Sequence, residues 1–289
     1  MAVRKDTIFE QVLAPIFRNF LIDQNALRAF YESKDWKTEA DRLTNPQVDY
    51  PRYYQRQNFH GIENGYLSVE AAISYDPITQ YALPPNESWV RQGLIDAIQV
   101  QPMRILDLGC GTGSMALMLK QKFPQAEVVG MDLSPYMLVV AEHRAAADNR
   151  AITLRHGQAE ATGFPDGNFD LVTIGLLLHE TPAAISQAIL QEAYRLLRTG
   201  GEVLVLDGNQ KILRQSNWLT NIFEEPYIND YANGSVEAWL GAAGFGAVQS
   251  QDIWLLNTLT RGVKGISNTV QKPLFADLEA RDNGVWAAG

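Results

Sequence analysis

The 289-residue chain has 24 Lys and Arg against 33 Asp and Glu, a net charge of −9, and 46% hydrophobic residues. Such a length suits one large α/β domain or one domain with an appended cap, and the negative balance offers no field to hold DNA or tRNA, so no nucleic-acid partner is expected. The single cysteine, Cys110, excludes an internal disulfide and a cysteine-built zinc site, which suits a cytoplasmic protein without a metal.

The first residues lack an apolar leader and no run reaches the length of a transmembrane helix, so stable membrane insertion is not expected. Residues 6–31 place Ile8, Val12, Leu13, Ile16, Phe17, Phe20, Leu21, Leu27 and Phe30 at helical spacing. One or two amphipathic helices are predicted there, packed on the main domain, serving as a lid, or forming a homodimer face. With Asp6, Glu10 and Asp23 among them, a membrane-surface helix ranks last.

Residues 45–83 hold Tyr50, Tyr53, Tyr54, Phe59, Tyr66, Tyr75 and Tyr81, punctuated by Pro46, Pro51, Gly61 and Gly65. Too apolar for a linker, this stretch is expected to fold back on the domain. Its rings are either ordinary core or a wall for a flat or cationic ligand, with Tyr66 and Tyr75 singled out for the wall. Residues 1–90 are thus read as a helical and aromatic extension covering a site. A helix follows over 87–100, in which Arg91 is either a partner for a ligand carboxylate or a surface charge.

Met103 to Ser114 runs Met-Arg-Ile-Leu-Asp-Leu-Gly-Cys-Gly-Thr-Gly-Ser. Ile105, Leu106 and Leu108 make a buried strand, Asp107 stands near its carboxyl end, and Gly109, Gly111 and Gly113 allow positive φ and a close backbone approach to a ligand. A dinucleotide loop would put its third glycine at position 114, which is Ser114, so an NAD-dependent oxidoreductase is weakened. The Asp-x-Gly-x-Gly-x-Gly spacing instead resembles the cofactor loop of class I S-adenosylmethionine (SAM) methyltransferases. The resemblance implies SAM as cofactor, with S-adenosylhomocysteine as product, and Asp107 holding its amino group through water.

From here strand and helix alternate, the pattern of a parallel sheet covered on both faces. The strand 127–131 ends at Asp132, placed to accept from ribose hydroxyls. Leu133 and Met137 offer apolar contact for adenine, and Ser134-Pro135 opens a helix to about Ala147. After a strand over 151–156, Gly157-Gln158-Ala159-Glu160 resembles the family's adenine-reading segment, with Gln158 where an Asp is usual. The Gln158 oxygen can still accept from the adenine amine, and the Ala159 N–H can donate to a ring nitrogen.

The fourth strand, 171–175, enters Leu176-Leu177-Leu178-His179-Glu180, a run that resembles the Leu-His-His of methyltransferases of the ubiquinone and menaquinone type, with Glu180 at the second His. Leu176 joins the cofactor residues. His179 orients substrate or removes a proton, or else is a histidine bonded to backbone beneath the site. A helix over 182–198, a turn at Thr199-Gly200-Gly201 and a strand over 202–206 follow. Residues 208–233 read as a cap insertion that chooses the substrate, with Trp218 and Tyr227 as candidate contacts, before a helix at 235–243.

Residues 248–256 and 258–263 complete an expected Rossmann-like α/β fold, a seven-stranded, mostly parallel sheet with an antiparallel C-terminal hairpin. The domain spans 91–265 and a tail spans 266–289. The resemblance implies methyl transfer to O, N or C of a small, partly aromatic acceptor. A SAM-binding regulatory or scaffold protein without turnover is the alternative, prompted by Gln158 and the missing second His.

Overall fold

The computed structural model describes residues 23–55, 57–59, 62, 65–82, 86–216 and 225–265. The helix expected over the first part of 6–31, the candidate Trp218 and the tail 266–289 lie outside them.

Seven strands form one sheet in the order β3-β2-β1-β4-β5-β7-β6. β1 (Arg104–Leu108), β2 (Glu127–Asp132), β3 (Thr153–His156), β4 (Phe169–Gly175) and β5 (Leu197–Gly208) are parallel neighbours. β7 (Asn257–Val263) adds antiparallel to β5, and β6 (Gly246–Ile253) closes the edge antiparallel to β7. β4 is buried along its whole length, which a parallel strand covered on both faces requires and which its apolar run provides. The chain leaves β1 toward β2 and β3 and returns on the other side as β4, so the order reverses between β1 and β4. Ligands of open α/β sheets sit outside the carboxyl ends of the strands at such a point.

Among the described residues, four helices precede β1: α1 (Gln24–Glu32), α2 (Trp36–Leu43), α3 (Val69–Ala82) and α4 (Glu87–Asp96). Between the strands run α5 (Ser114–Lys122), α6 (Pro135–Ala147) and α7 (Ala183–Leu196), and α8 (Gln210–Gln215), α9 (Ile228–Ala232) and α10 (Val236–Ala243) separate β5 from β6. One apolar layer joins α7, α9 and α10 to the sheet, and a second joins α4 and α5. A third cluster, with Trp36, Tyr54, Phe59, Tyr66 and Ala72 on one side and Met137 and Val140 of α6 on the other, fastens the extension to the domain. The described residues within 45–83 therefore do fold back on it.

Several boundaries differ from those read in the sequence. α4 stops at Asp96 rather than near Val100, because the N–H groups of Gln99 and Val100 donate to the buried Glu202 carboxylate at 3.0 and 3.3 Å. Thr199-Gly200-Gly201 is an irregularity inside β5 rather than a turn before it. The pairing with β4 shifts register there, Gly200 takes φ +80°, and its N–H donates to the Lys264 carbonyl. The last hairpin turns at 254–256, a few residues early.

Candidate functional site

β1 and β4 bring Asp107 opposite Thr173, whose hydroxyl donates to Asp107 Oδ1 at 2.8 Å. Asp107 Oδ2 is buried without a hydrogen-bond partner. Burial raises this carboxyl to about 6, against the pull of the Thr173 hydroxyl and the Arg91 charge. A buried acceptor left open is costly unless something else supplies its donor.

The loop after β1 turns through Gly109 (φ +68°), Gly111 (+52°) and Gly113 (+83°). The three glycines serve different ends. A Cβ on Gly109 would lie 2.9 Å from the Leu177 side chain, and one on Gly113 would lie 3.1 Å from Ala141. A Cβ on Gly111 would meet nothing within 4 Å, so it would project into open space. Gly109 and Gly113 thus pack the loop, and Gly111 keeps the crevice bare.

At the end of β2, Asp132 accepts the Gly111 N–H on Oδ2 and the Ser134 N–H on Oδ1, both at 2.8 Å. Burial lifts it to about 6, although these two N–H groups oppose the shift. Each oxygen keeps a second lone pair for a further donor. Leu133 stays partly exposed, whereas Met137 is sealed in the cluster under the extension.

The segment after β3 is tied to the extension at alternate residues. His156 Nδ1 accepts the Asn45 N–H at 3.0 Å while Nε2 donates to the Leu133 carbonyl at 2.9 Å, which fixes the ring neutral. The Gln158 amide donates to the Asp49 carbonyl, and Glu160 accepts the Tyr53 hydroxyl at 2.9 Å. Gln158 has therefore committed its nitrogen, which leaves its oxygen as the group for an incoming donor. Ala159 packs against the main core.

β4 leaves the sheet through Leu176, a non-glycine residue at φ +58°, held by its N–H to the Leu206 carbonyl at 2.7 Å. Left-handed geometry costs a leucine about 1–2 kcal/mol and is met where a site constrains the chain. The next turn carries His179, whose Nδ1 donates to Asp207 Oδ1 at 2.6 Å. Asp207, at the end of β5, also accepts the Leu178 and His179 N–H groups on Oδ2. Burial works against the imidazolium, but the Asp207 charge and hydrogen bond, helped by Glu180 and Glu225, lift it to about 9. His179 is thus bonded through Nδ1 to a carboxylate.

Tyr66 donates to Glu180 at 2.8 Å and meets Tyr75 edge to face at 5.7 Å. The two tyrosines do come together beside the His179 turn, with Tyr66 also stacked on Phe59 in the core. Arg91 is no surface charge. It is 6% exposed and pairs with the equally buried Glu87 at 2.5 Å, and its guanidinium would lie 3.1 Å from a Cβ on Gly175 at the end of β4. Tyr227 spends its hydroxyl on the Tyr53 carbonyl at 2.7 Å, which links the cap to the extension.

Residues 105–201 match the family model described as Methyltransferase domain. These residues carry a methyltransferase domain. Its relatives include the demethylmenaquinone methyltransferase of Thermus thermophilus, 43% identical over 139 residues, 48% of this chain and 62% of that protein. The match spans less than two thirds of that relative's length. In fold, the chain is similar to a Haemonchus contortus phosphoethanolamine N-methyltransferase solved with SAM (TM-score 0.54, 16% identity, 70% of this chain and 58% of that one). It is also similar to a SAM-dependent methyltransferase of Aquifex aeolicus (TM-score 0.52, 15% identity, 68% and 98%).

The residues of the methyltransferase domain fit SAM on two counts: the bare Gly111 backbone faces open space, and the orphaned Asp107 oxygen awaits a donor. Three groups escaped the sequence reading. Asp207 carried a visible signal, an acid at the end of the strand beside β4. Asp76 and His156 carried none, since both act on partners distant in the chain.

Proposed function

We propose that the chain is an enzyme that transfers the methyl group of SAM to a small aromatic acceptor of the kind named for its demethylmenaquinone methyltransferase relatives. The reading is carried by one observation, the open Gly111 cradle lying between Asp107 and Asp132 at the sheet's switch point. When bound, SAM supplies a methyl already activated on a sulfonium.

Asp107 holds the amino group through water, Arg91 attracts the carboxylate, Asp132 accepts from the ribose hydroxyls, and Leu133, Gln158 and Ala159 hold the adenine. Tyr66 and Tyr75 form the apolar wall at the reacting end, with Leu176 at its floor, and Tyr227 belongs to the acceptor side. Such a transfer needs alignment and dry surroundings more than acid–base machinery. His179, oriented by Asp207, takes the proton of an acceptor hydroxyl. A base lifted to about 9 is well matched to a phenol.

A cytoplasmic location is supported by the lone buried Cys110, and a non-nucleic-acid acceptor by the net charge of −9. A homodimer through residues 6–31 belongs to the same reading. The test is methyl transfer from radiolabelled SAM across a panel of quinols, phenols and amines. Turnover on a quinol or phenol supports the assignment, and SAM binding with no turnover across the panel points to a scaffold instead.

A further inference from the structure

The family model begins at residue 105, so the segment 65–82 is outside it. This segment nevertheless touches the crevice at three separated points. The Tyr66 carbonyl accepts the Ser134 hydroxyl at 2.6 Å, just past the ribose acid. The Tyr66 hydroxyl reaches Glu180 on the far side, beyond the end of β4. Ten residues later, on α3, Asp76 Oδ1 accepts the hydroxyl of Thr112, between Gly111 and Gly113, at 2.6 Å.

The third contact is the most elaborate. Asp76 Oδ2 also accepts from Arg144 of α6 at 2.8 Å, and the same guanidinium nitrogen lies within hydrogen-bond distance of the Thr112 carbonyl (3.1 Å), the Thr112 hydroxyl (3.0 Å) and the Ser114 hydroxyl (2.9 Å). Arg144 holds the glycine loop from within the domain. Asp76 is the one member of this cluster contributed by the extension, and both of its oxygens are used on it. Charge-assisted bonds of this length are about twice as strong as neutral ones.

Resting on the SAM reading of the crevice, we propose that residues 65–82 form a strap across it, and that Asp76 is the latch that fastens the strap to the glycine loop. SAM then enters and leaves when the Asp76–Thr112 contact is broken. The latch sets the exchange rates of the cofactor in both directions, and its affinity much less, because an open strap speeds entry as well as exit. Asp76 acts through Thr112 and is a positioning residue.

The experiment uses the full chain and tritiated SAM, with association and dissociation rates measured for the wild type, Asp76→Asn, Thr112→Val and the double variant. Both rates are expected to rise about tenfold in each single variant, the size of one charge-assisted bond lost, and no further in the double. A variant that is merely less well folded would raise the dissociation rate alone. Rates within twofold of wild type in folded variants, or a rise in dissociation only, overturn the strap and leave the SAM site standing. Absence of SAM binding by the wild type overturns both. Should the variants not fold, hydrogen exchange on the wild type decides: the strap requires SAM to slow exchange at residues 69–76, and unchanged exchange there overturns it.

Discussion

Asp132 Oδ2 accepts the Gly111 N–H at 2.8 Å, so the acid that ends β2 and the middle glycine of the loop form one hydrogen-bonded unit. A ligand that uses the carboxylate therefore also meets the bare backbone beside it.

Gly111 and Gly109 are expected to fail in different ways. At Gly111, valine has room but takes left-handed geometry, a cost of about 1–2 kcal/mol, and its side chain enters the crevice. SAM affinity should fall on the order of a hundredfold or more, about 3 kcal/mol, with a small loss of melting temperature. At Gly109, alanine drives its Cβ into Leu177 at 2.9 Å, so the larger loss should be in stability. Calorimetric titration beside thermal unfolding separates the two.

Burial lifts both Asp107 and Asp132 to about 6. Each is raised in the folded state, so the free protein is favoured below the ordinary carboxylate range and loses that stabilisation as pH rises through about 6. SAM needs both ionised. Its affinity should fall as pH drops below about 6, and binding near that pH should release protons. Titrations in buffers of different ionisation enthalpy read the release directly, and the thermal shift given by SAM should grow between pH 5 and 7.

His179, lifted to about 9 by Asp207, should give a methyl-transfer rate that climbs with pH until about 9. Asp207→Asn removes the charge and should move the inflection down toward 6.5 while lowering the rate. The same pair affects stability: its contribution is complete below 6.5 and is lost as pH rises through about 9. A pH–rate profile without the shift in Asp207→Asn would remove His179 from the chemistry.

Arg91→Met leaves Glu87 buried and unpaired, which should cost about 3–5 kcal/mol of stability. Adding Glu87→Gln should return much of that. If Arg91 holds the cofactor's carboxylate, SAM affinity stays weak in the double variant. Urea unfolding and SAM titration on the single and double variants show whether the two effects part company.

The sheet and the loop were legible because their signals are local. A strand buried on both faces reads as an apolar run, and three glycines spaced by one residue after an acid read as a backbone left bare. Asp132 was legible for the same reason, as an acid ending a strand at a fixed interval from the loop. Of the two readings of Arg91, the surface charge fails, because the packing of α4 on the sheet buries Arg91 with Glu87, four residues earlier. The link from His179 to Asp207 depends on two parallel strands ending at the same height. Asp76 reaching Thr112, and Asn45 reaching His156, join segments distant in the chain through a fold that no short pattern encodes.

The central claim is that SAM lies between Asp107 and Asp132 over the bare loop. Calorimetric titration of SAM into the wild type and into Asp132→Ala tests it most directly. Saturable one-to-one binding by the wild type, weakened on the order of a hundredfold in the variant, about 3 kcal/mol, is the result this account predicts. Equal binding by both proteins, or NADH binding in place of SAM, would contradict it.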